Sequence, residues 1–316
     1  MVSSSLDVTL LVVSYNGLHF LQEYMSSIVD AAEASKYKTE VVVADDGSSD
    51  ESIPYLQNNW PNVRIVPLQN NSGHVIAANK GVAESKGEIV VMLDNDVRVD
   101  RDFVDPLISH FDDSKVFAVN SKIIVPRLGN INESVKAVTF HHGMLYLSCI
   151  QNPPEHAIPI LYATACSAAY RRSTYLDLGG FDSLYPPLYW DDTDLCYRAR
   201  KRGYKVLYEP KSKIEHWYGG STPPEKQRRM ETRKWENYFL FVWKNLTDSR
   251  LFIRHIGYLP FVLLKASVTG NTNRVAGFFA ALKQLPQVRQ ARAIEKACQV
   301  VTDSDIIRQF TNPPED

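Results

Sequence analysis

Ile89-Val90-Val91-Met92-Leu93-Asp94-Asn95-Asp96 is the stretch that decides the architecture: five apolar residues in a row, then three polar ones. An unbroken β-rich apolar run of this length reads as a strand buried on both faces, and Asp-Asn-Asp as the turn where it emerges. The same arrangement recurs toward the N-terminus. Residues 8–13 run into Ser14-Tyr15-Asn16-Gly17, residues 40–44 run into Asp45-Asp46-Gly47-Ser48, and residues 63–68 form a further strand. Between the first two strands Leu18, Leu21, Met25, Ile28, Val29 and Ala32 recur at three- and four-residue steps, which places them on one helical face. A short helical stretch follows Ser48, and residues 74–84 also read as helical. Strands alternating with helices imply βαβ units and so an α/β, mainly parallel sheet flanked by helices. In such sheets ligands sit outside the carboxyl ends of the strands. Three of the four strand ends carry polar residues there: Ser14-Tyr15-Asn16, Asp45-Asp46 and Asp94-Asn95-Asp96.

Composition narrows the function classes. The 316 residues are 44% hydrophobic and 22% charged, with 35 Lys+Arg against 36 Asp+Glu, so no global charge argues for nucleic acid as a partner. Cys149, Cys166, Cys196 and Cys298 lie far apart without a CxxC pair, which points away from a zinc site or a disulfide framework. The first residues lack the basic segment of a signal peptide, so a cytoplasmic start is expected. The best apolar candidate for a membrane span, residues 257–264, contains Pro260 and stops at Lys265, so no spanning helix is expected. Three parts follow: residues 1–100 with the βα repeats, 101–222 with weaker periodicity and more Pro, Gly and aromatics, and a helical, basic 223–316. From Arg250 to Lys296 there are eight Lys/Arg and one acid, Glu295. Apolar stretches alternate there with Arg250, Arg254, Lys265, Arg274, Lys283, Arg289 and Arg292, as on a helix lying at an anionic membrane surface or on a helical cap with a solvated basic face.

Several residues could carry chemistry. Asp94 and Asp96 are two apart, so in extended geometry both carboxylates reach the same side and one hard cation; a solvated turn is the plainer reading of such a pair. There is no GxGxxG and no GxxxxGK[ST], which disfavours a dehydrogenase or a P-loop enzyme. Trp190-Asp191-Asp192-Thr193-Asp194 crowds three carboxylates into four residues, a costly arrangement unless a cation or a raised pKa relieves it. Asp191 and Asp194 also suit the first turn of a helix as capping groups, and Asp192 is the better general-base candidate. His216 follows an expected strand over residues 205–208, while His74, His141 and His142 read as ordinary surface or core histidines.

Taken together these segments resemble glycosyltransferase family two, the inverting nucleotide-sugar enzymes. Val12-Val13-Ser14-Tyr15-Asn16, Asp45-Asp46-Gly47-Ser48-Ser49-Asp50, Asn71-Ser72-Gly73 with Ala78-Asn79-Lys80-Gly81, and Lys86-Gly87-Glu88 leading to Asp94-Asn95-Asp96 carry the first half. Gly179-Gly180-Phe181-Asp182, Asp191-Asp192-Thr193-Asp194-Leu195 with Arg198, and His216 with Gly219 and Ser221 carry the second. The resemblance covers roughly residues 8–222. It implies a GT-A fold, a mainly parallel Rossmann-like sheet with a C-terminal helical extension.

It also implies roles. Val13, Tyr15, Asp46, Asn79, Asp94 and Asn95 would bind the nucleotide sugar. Asp96, Asp94 and His216 would hold Mg²⁺ or Mn²⁺. Asp192 would be the catalytic base, assisted by Asp191, with Trp190 and Asp191 toward the acceptor. Asp191 departs from the Glu more usual before that base, and Trp-Asp-Asp is similar to the galactofuranosyl-transferring members; rhamnosyl-transferring members are the other group resembled. The implied activity moves a sugar from a UDP- or TDP-sugar to a glycan or lipid-linked acceptor in cell-surface polysaccharide synthesis, in the cytoplasm or peripherally on the inner face of the membrane. The loops at residues 162–170 and 185–190 are expected to line the sugar and acceptor pockets. A sugar-phosphate nucleotidyltransferase shares the paired acids but needs a Gly-rich phosphate-binding opening that this chain lacks, and a non-catalytic carbohydrate-binding module is the third reading.

Overall fold

The computed structural model describes residues 7–185, 189–218 and 224–311, and in 224–226 the backbone alone. The apolar runs become adjacent strands: β1 (Asp7–Ser14), β2 (Lys38–Asp45), β3 (Arg64–Pro67) and β4 (Ile89–Asp94) are parallel in the order β3-β2-β1-β4. Alternate residues enter opposite layers of core. Leu10, Val12, Val43, Val91 and Leu93 pack on one face, and Leu11, Val13, Val42, Val90 and Met92 on the other. Burial on both sides is why these strands are apolar without alternation. Helices α1 (Leu18–Ala34), α2 (Ser52–Asn59) and α3 (His74–Glu84) connect them. The buried face of α1 is Leu21, Tyr24, Met25, Ile28, Ala31 and Ala32, close to the periodic set read from the sequence. α3 lies hard against the sheet at Gly81, where a Cβ would come within 2.6 Å of a Leu11 methyl and 3.1 Å of the Ala44 Cβ.

Beyond β4 the chain forms β5 (Val97–Val99), α4 (Val104–Ile108), β6 (Val116–Val125), β7 (Ile131–Asn132), the hairpin β8 (Lys136–His141) and β9 (Met144–Cys149), β10 (Ile158–Pro159), β11 (Ser167–Arg171), α5 (Arg172–Asp177), α6 (Asp191–Lys201) and β12 (Lys205–His216). The sheet is parallel over its first half and mixed beyond it. β11 enters antiparallel to β4, β6 is antiparallel to β11, and β12 is parallel to β6. Because β11 runs against β4, with Ser167 opposite Leu93, the residues just before it arrive at the carboxyl end of β4. β12 is longer than expected and reaches the same end. Its final residue, His216, pairs with Val97 of β5, and the Trp217 N–H donates to the Asp96 carbonyl at 3.0 Å.

The C-terminal helices are α7 (Pro224–Asn245), α8 (Ser249–Val268), α9 (Thr272–Leu282), α10 (Leu285–Cys298) and α11 (Asp303–Thr311). The expected helical extension is present, and its first helix is built into the core. Tyr238, Phe239, Leu240, Phe241, Val242 and Trp243 of α7 are all buried, in one cluster with Val138 and Leu145 of the hairpin and Tyr197 of α6. By length and composition alone α8 is long and apolar enough to cross a bilayer, a longer stretch than the 257–264 run read from the sequence, with Arg254 and Lys265 set among its apolar residues.

One buried carboxylate ties these parts together. Asp194 accepts from Arg198 Nε at 2.7 Å, Lys244 Nζ at 2.8 Å, Asn245 Nδ2 at 2.7 Å and Tyr185 Oη at 2.9 Å. The capping role allowed by the sequence is not the one it plays; its partners come from α6, α7 and the preceding loop. Burial alone would raise the Asp194 pKa, but Lys244 and Arg198 hold it far below the usual carboxylate range. Removing one partner of a buried ion pair leaves the other charge uncompensated, at a cost of about 3–5 kcal/mol. Asp194→Asn should therefore lose about 3 kcal/mol of stability at pH 7 by urea unfolding. A depressed folded-state pKa stabilises above the unfolded value and loses that contribution as the pH falls below it, so the gap between wild type and variant should narrow below about pH 4.

Candidate functional site

The carboxyl ends of β1 and β4 open into a cleft of about 880 Å³. Strand order reverses about this point, with β2 on one side of β1 and β4 on the other, which is where open α/β sheets leave a crevice. Val13 and Tyr15 line it from the β1 end, Asp94, Asn95 and Asp96 from the β4 end, Tyr162, Thr164, Ala165 and Cys166 from the segment before β11, Trp190, Asp191 and Asp192 from the start of α6, and His216 from the end of β12.

Asp94, Asp96 and His216 come together although 120 residues separate the last two. Each offers a ligand atom within 4.8 Å of the others, and His216 Nε2 lies 3.1 Å from Asp96 Oδ1. Two carboxylates and an imidazole form a group that could hold a divalent metal ion. The Asp94 carboxyl is pushed up by burial, with His74 opposing and Asp96 adding to the shift. For His216 burial favours the neutral ring, yet Cys166 and Asp96 outweigh it and raise its proton affinity.

The second acidic group stands at the N-terminus of α6. Tyr189 and Trp190 both take left-handed backbone angles, φ 76° and 73°, and this turn delivers Asp191 and Asp192 to the cleft. Burial first, and then the neighbouring Asp192, push the Asp191 carboxyl up to about 7. Asp192 is also raised by burial, offset by the Thr193 N–H, which donates to Oδ1 at 2.6 Å, and by the Thr193 hydroxyl. Burial and the neighbouring charge of Asp192 both oppose ionisation of Asp191, so Asp191 retains its proton into the neutral range. Trp190 is braced by the rings of Tyr238 and Phe241 at 5.4 and 4.9 Å.

The other sequence-derived residues divide. Asp46 lines the cleft, with its oxygens accepting the Ser72 and Gly73 N–H groups at 2.7 and 2.8 Å, so it also fixes the loop before α3. Asn95 donates to Ser14 Oγ at 3.0 Å and ties the β4 turn to β1. Asn79 does not reach the cleft. Its Nδ2 donates to the Phe181 carbonyl, and its Oδ1 accepts from the Tyr175 hydroxyl and the Phe181 N–H, so the amide is spent holding the 179–181 turn. Gly219, Gly220 and Ser221, like Pro186 and Pro187 of the expected acceptor loop, lie outside the described residues.

Sequence reasoning missed His74. It opens α3 and lies 3.9 Å from Asp94, lining the cleft between the two acidic groups. Its place directly after Asn71-Ser72-Gly73 was the available signal. Cys166 lines the cleft within the loop at 162–170 expected there, while Glu133, Lys136, Tyr218 and Lys234 also line it and carried no signal, because each arrives from a distant segment.

Comparison with known proteins agrees with this geometry. The chain is 28% identical over 210 residues to poly-beta-1,6-N-acetyl-D-glucosamine synthase of Staphylococcus aureus (strain COL), covering 64% of this chain and 48% of that protein. It is 27% identical over 203 residues to pre-mycofactocin glycosyltransferase of Mycobacterium tuberculosis (strain CDC 1551 / Oshkosh), covering 58% and 42%. The chain thus spans about half the length of the curated relatives it matches. Among solved structures it resembles GalNAc-T7 with UDP, GalNAc and Mn²⁺, at TM-score 0.61 and 18% identity over 78% of this chain and 49% of that one. It also resembles the mannosyltransferase PcManGT from Pyrobaculum calidifontis in complex with GDP-Man and Mn²⁺, at TM-score 0.53 and 17% identity over 98% and 88%. These likenesses show a shared GT-A fold. Residues 9–179, more than half of the chain, match the family model described as glycosyl transferase family 2, and the chain belongs to that family.

Proposed function

We propose that this protein is an inverting, metal-dependent glycosyltransferase that moves a sugar from a nucleotide-diphosphate donor to a hydroxyl acceptor. The observation that carries the reading is the pairing, in one cleft, of the Asp94, Asp96 and His216 donor set with the Asp191-Asp192 pair. The donor-binding half would be residues 1–100 and the acceptor half 101–222. Val13, Tyr15 and Asp46 would hold the nucleoside, and Asp96, Asp94 and His216 would hold Mg²⁺ or Mn²⁺ beside the diphosphate. When bound, such a cation supplies charge neutralisation for the departing nucleoside diphosphate without proton transfer.

The remaining steps fall to the chain itself. An acceptor hydroxyl must lose its proton as it attacks the anomeric carbon, and a carboxylate on the face away from the leaving group is needed to take it. Asp192 is assigned that role, with Asp191 beside it setting the proton affinity of the pair and Trp190 forming an acceptor wall. A single displacement inverts the anomeric centre. UDP- or TDP-sugars are the expected donors. A glycan or lipid-linked intermediate of cell-surface polysaccharide synthesis is the expected acceptor, handled on the cytoplasmic side at the inner face of the membrane. The cationic C-terminal helices support that location.

Asp192→Asn should keep nucleotide affinity within about twofold while turnover falls by about 10²-fold or more, as expected for loss of a general base. Wild-type-like turnover in that variant would remove Asp192 from the mechanism. Because the Asp191 carboxyl beside the base holds its proton up to about 7, wild-type kcat should show an inflection there that Asp191→Asn removes.

A thermal-shift series with UDP, TDP, GDP and CDP, each with and without Mn²⁺, tests the donor site. A ligand at about 100 times its Kd adds roughly 2.7 kcal/mol of stability. One nucleotide should raise the Tm by about 2–4 °C per kcal/mol of added stability, only with Mn²⁺ present, and Asp96→Ala should abolish the shift. A metal-independent shift retained in Asp96→Ala would refute the assignment.

A further inference from the structure

α8 carries a surface that the transfer chemistry leaves unused. Its inner face, His255, Leu259 and Ala266, is buried, and His255 is held by Trp243 Nε1 at 3.1 Å and by the Gly143 carbonyl at 2.7 Å. On the opposite face Ile253, Phe261, Leu264 and Val268 are 69, 69, 64 and 79% exposed. At about 100° per residue these four, together with Gly257 and Pro260, fall within an arc of about 100° centred opposite the buried side. Arg250, Arg254 and Lys265 cluster toward one edge of that arc, and no Asp or Glu occurs anywhere in Ser249–Val268. α9, packed against α8, adds the exposed Phe279.

A contiguous stripe of large apolar groups is rare on a surface that meets only water. Its charge selects the partner: the charged residues of α8 itself, Arg250, Arg254 and Lys265, are all cationic, and residues 250–296 carry eight Lys/Arg against one acid. An apolar face with a cationic margin is the pattern of a helix lying in the headgroup boundary of an anionic bilayer. The 20-residue helix is apolar enough for a span by length and composition, but one side is fastened to the protein through His255. Lying flat satisfies both sides at once.

We propose that the outer face of α8 docks on an anionic lipid surface, with Ile253, Phe261, Leu264 and Val268 entering the acyl boundary and Arg250, Arg254 and Lys265 meeting headgroup phosphates. This gives the peripheral location a structural element, and its link to a lipid-borne acceptor rests on the transferase reading. The link is the hairpin. At its tip a Cβ on Gly143 would lie 2.7 Å from the Tyr258 Cβ and 2.8 Å from the Arg254 carbonyl oxygen, while Lys136 and Leu147 on its two strands line the cleft.

Sedimentation of the full chain with phosphatidylcholine vesicles, with and without phosphatidylglycerol, at low and high salt, tests the proposal. The anionic vesicles should carry the protein down, and high salt should release it. Phe261→Glu combined with Leu264→Glu should weaken binding by about tenfold or more, since both side chains are exposed and their loss removes buried apolar area only in the docked state. The double variant should keep the wild-type Tm and Mn²⁺-dependent nucleotide binding. No binding at low salt, or equal binding by wild type and double variant, overturns the proposal. If light scattering then shows a dimer that the double variant abolishes, the face belongs to a second copy of the chain. Nucleotide binding in the same preparation keeps the two readings apart: vesicle binding without any nucleotide binding would sink the transferase and leave the docking surface standing.

Discussion

The buried carboxylate of Asp194 is the point on which the Asp191-Asp192 side of the cleft hangs. It sits one turn into α6, and its four partners reach it from α6 itself, from α7 and from the loop before α6. Arg198, gripped by Asp194, uses its remaining donors on the Leu178 and Gly180 carbonyls, so the same cluster also holds the turn between α5 and α6. Lys244 bridges Asp194 to Asp182. Asp191 and Asp192 are thus displayed at the end of a helix that cannot rotate or slide without exposing uncompensated charge. That rigidity is what lets two carboxyls stand side by side at raised pKa instead of splaying into water.

The Asp94-Asp96 side of the cleft is held differently, by backbone pairing. β1 and β4 are neighbours in register, so Val13 and Asp94 are level with one another, and the pairing of β5 with the end of β12 sets His216 beside Asp96. Strand pairing fixes these side chains, and ion pairing fixes the acids across the cleft. The two devices meet at His74, whose ring lies near Asp94 and 6.3 Å from that of Phe181 in the turn held by Asn79 and Arg198.

What the sequence could reveal follows from this division. Parallel strands buried on both faces are written as apolar runs, so β1, β2 and β4 and the polar residues at their ends were legible, and the Asp94/Asp96 pair with them. Contacts between distant segments were not. His216 could be assigned only through resemblance, because its neighbourhood depends on β12 extending eight residues past the expected end at residue 208. Asn79 was placed with the nucleotide because its motif resembles the family's, whereas its partners lie 102 and 96 residues away and draw the amide out of the cleft. Asp194 read equally well as a helix cap because Lys244, fifty residues on, gives no local sign of its presence. Glu133, Lys136 and Lys234 were silent for the same reason.

The close approach at Gly81 reaches further than packing. Seven residues separate it from His74, about 10 Å along the axis of α3, so the helix acts as a lever whose fulcrum is the contact with Leu11 and Ala44. A tilt of about 5° forced by a side chain at the fulcrum would swing the His74 end by roughly 1 Å, a displacement on the scale at which catalytic alignment fails. The alignment of the cleft is therefore coupled to a position outside its lining, where the helix meets the sheet through Leu11 and Ala44.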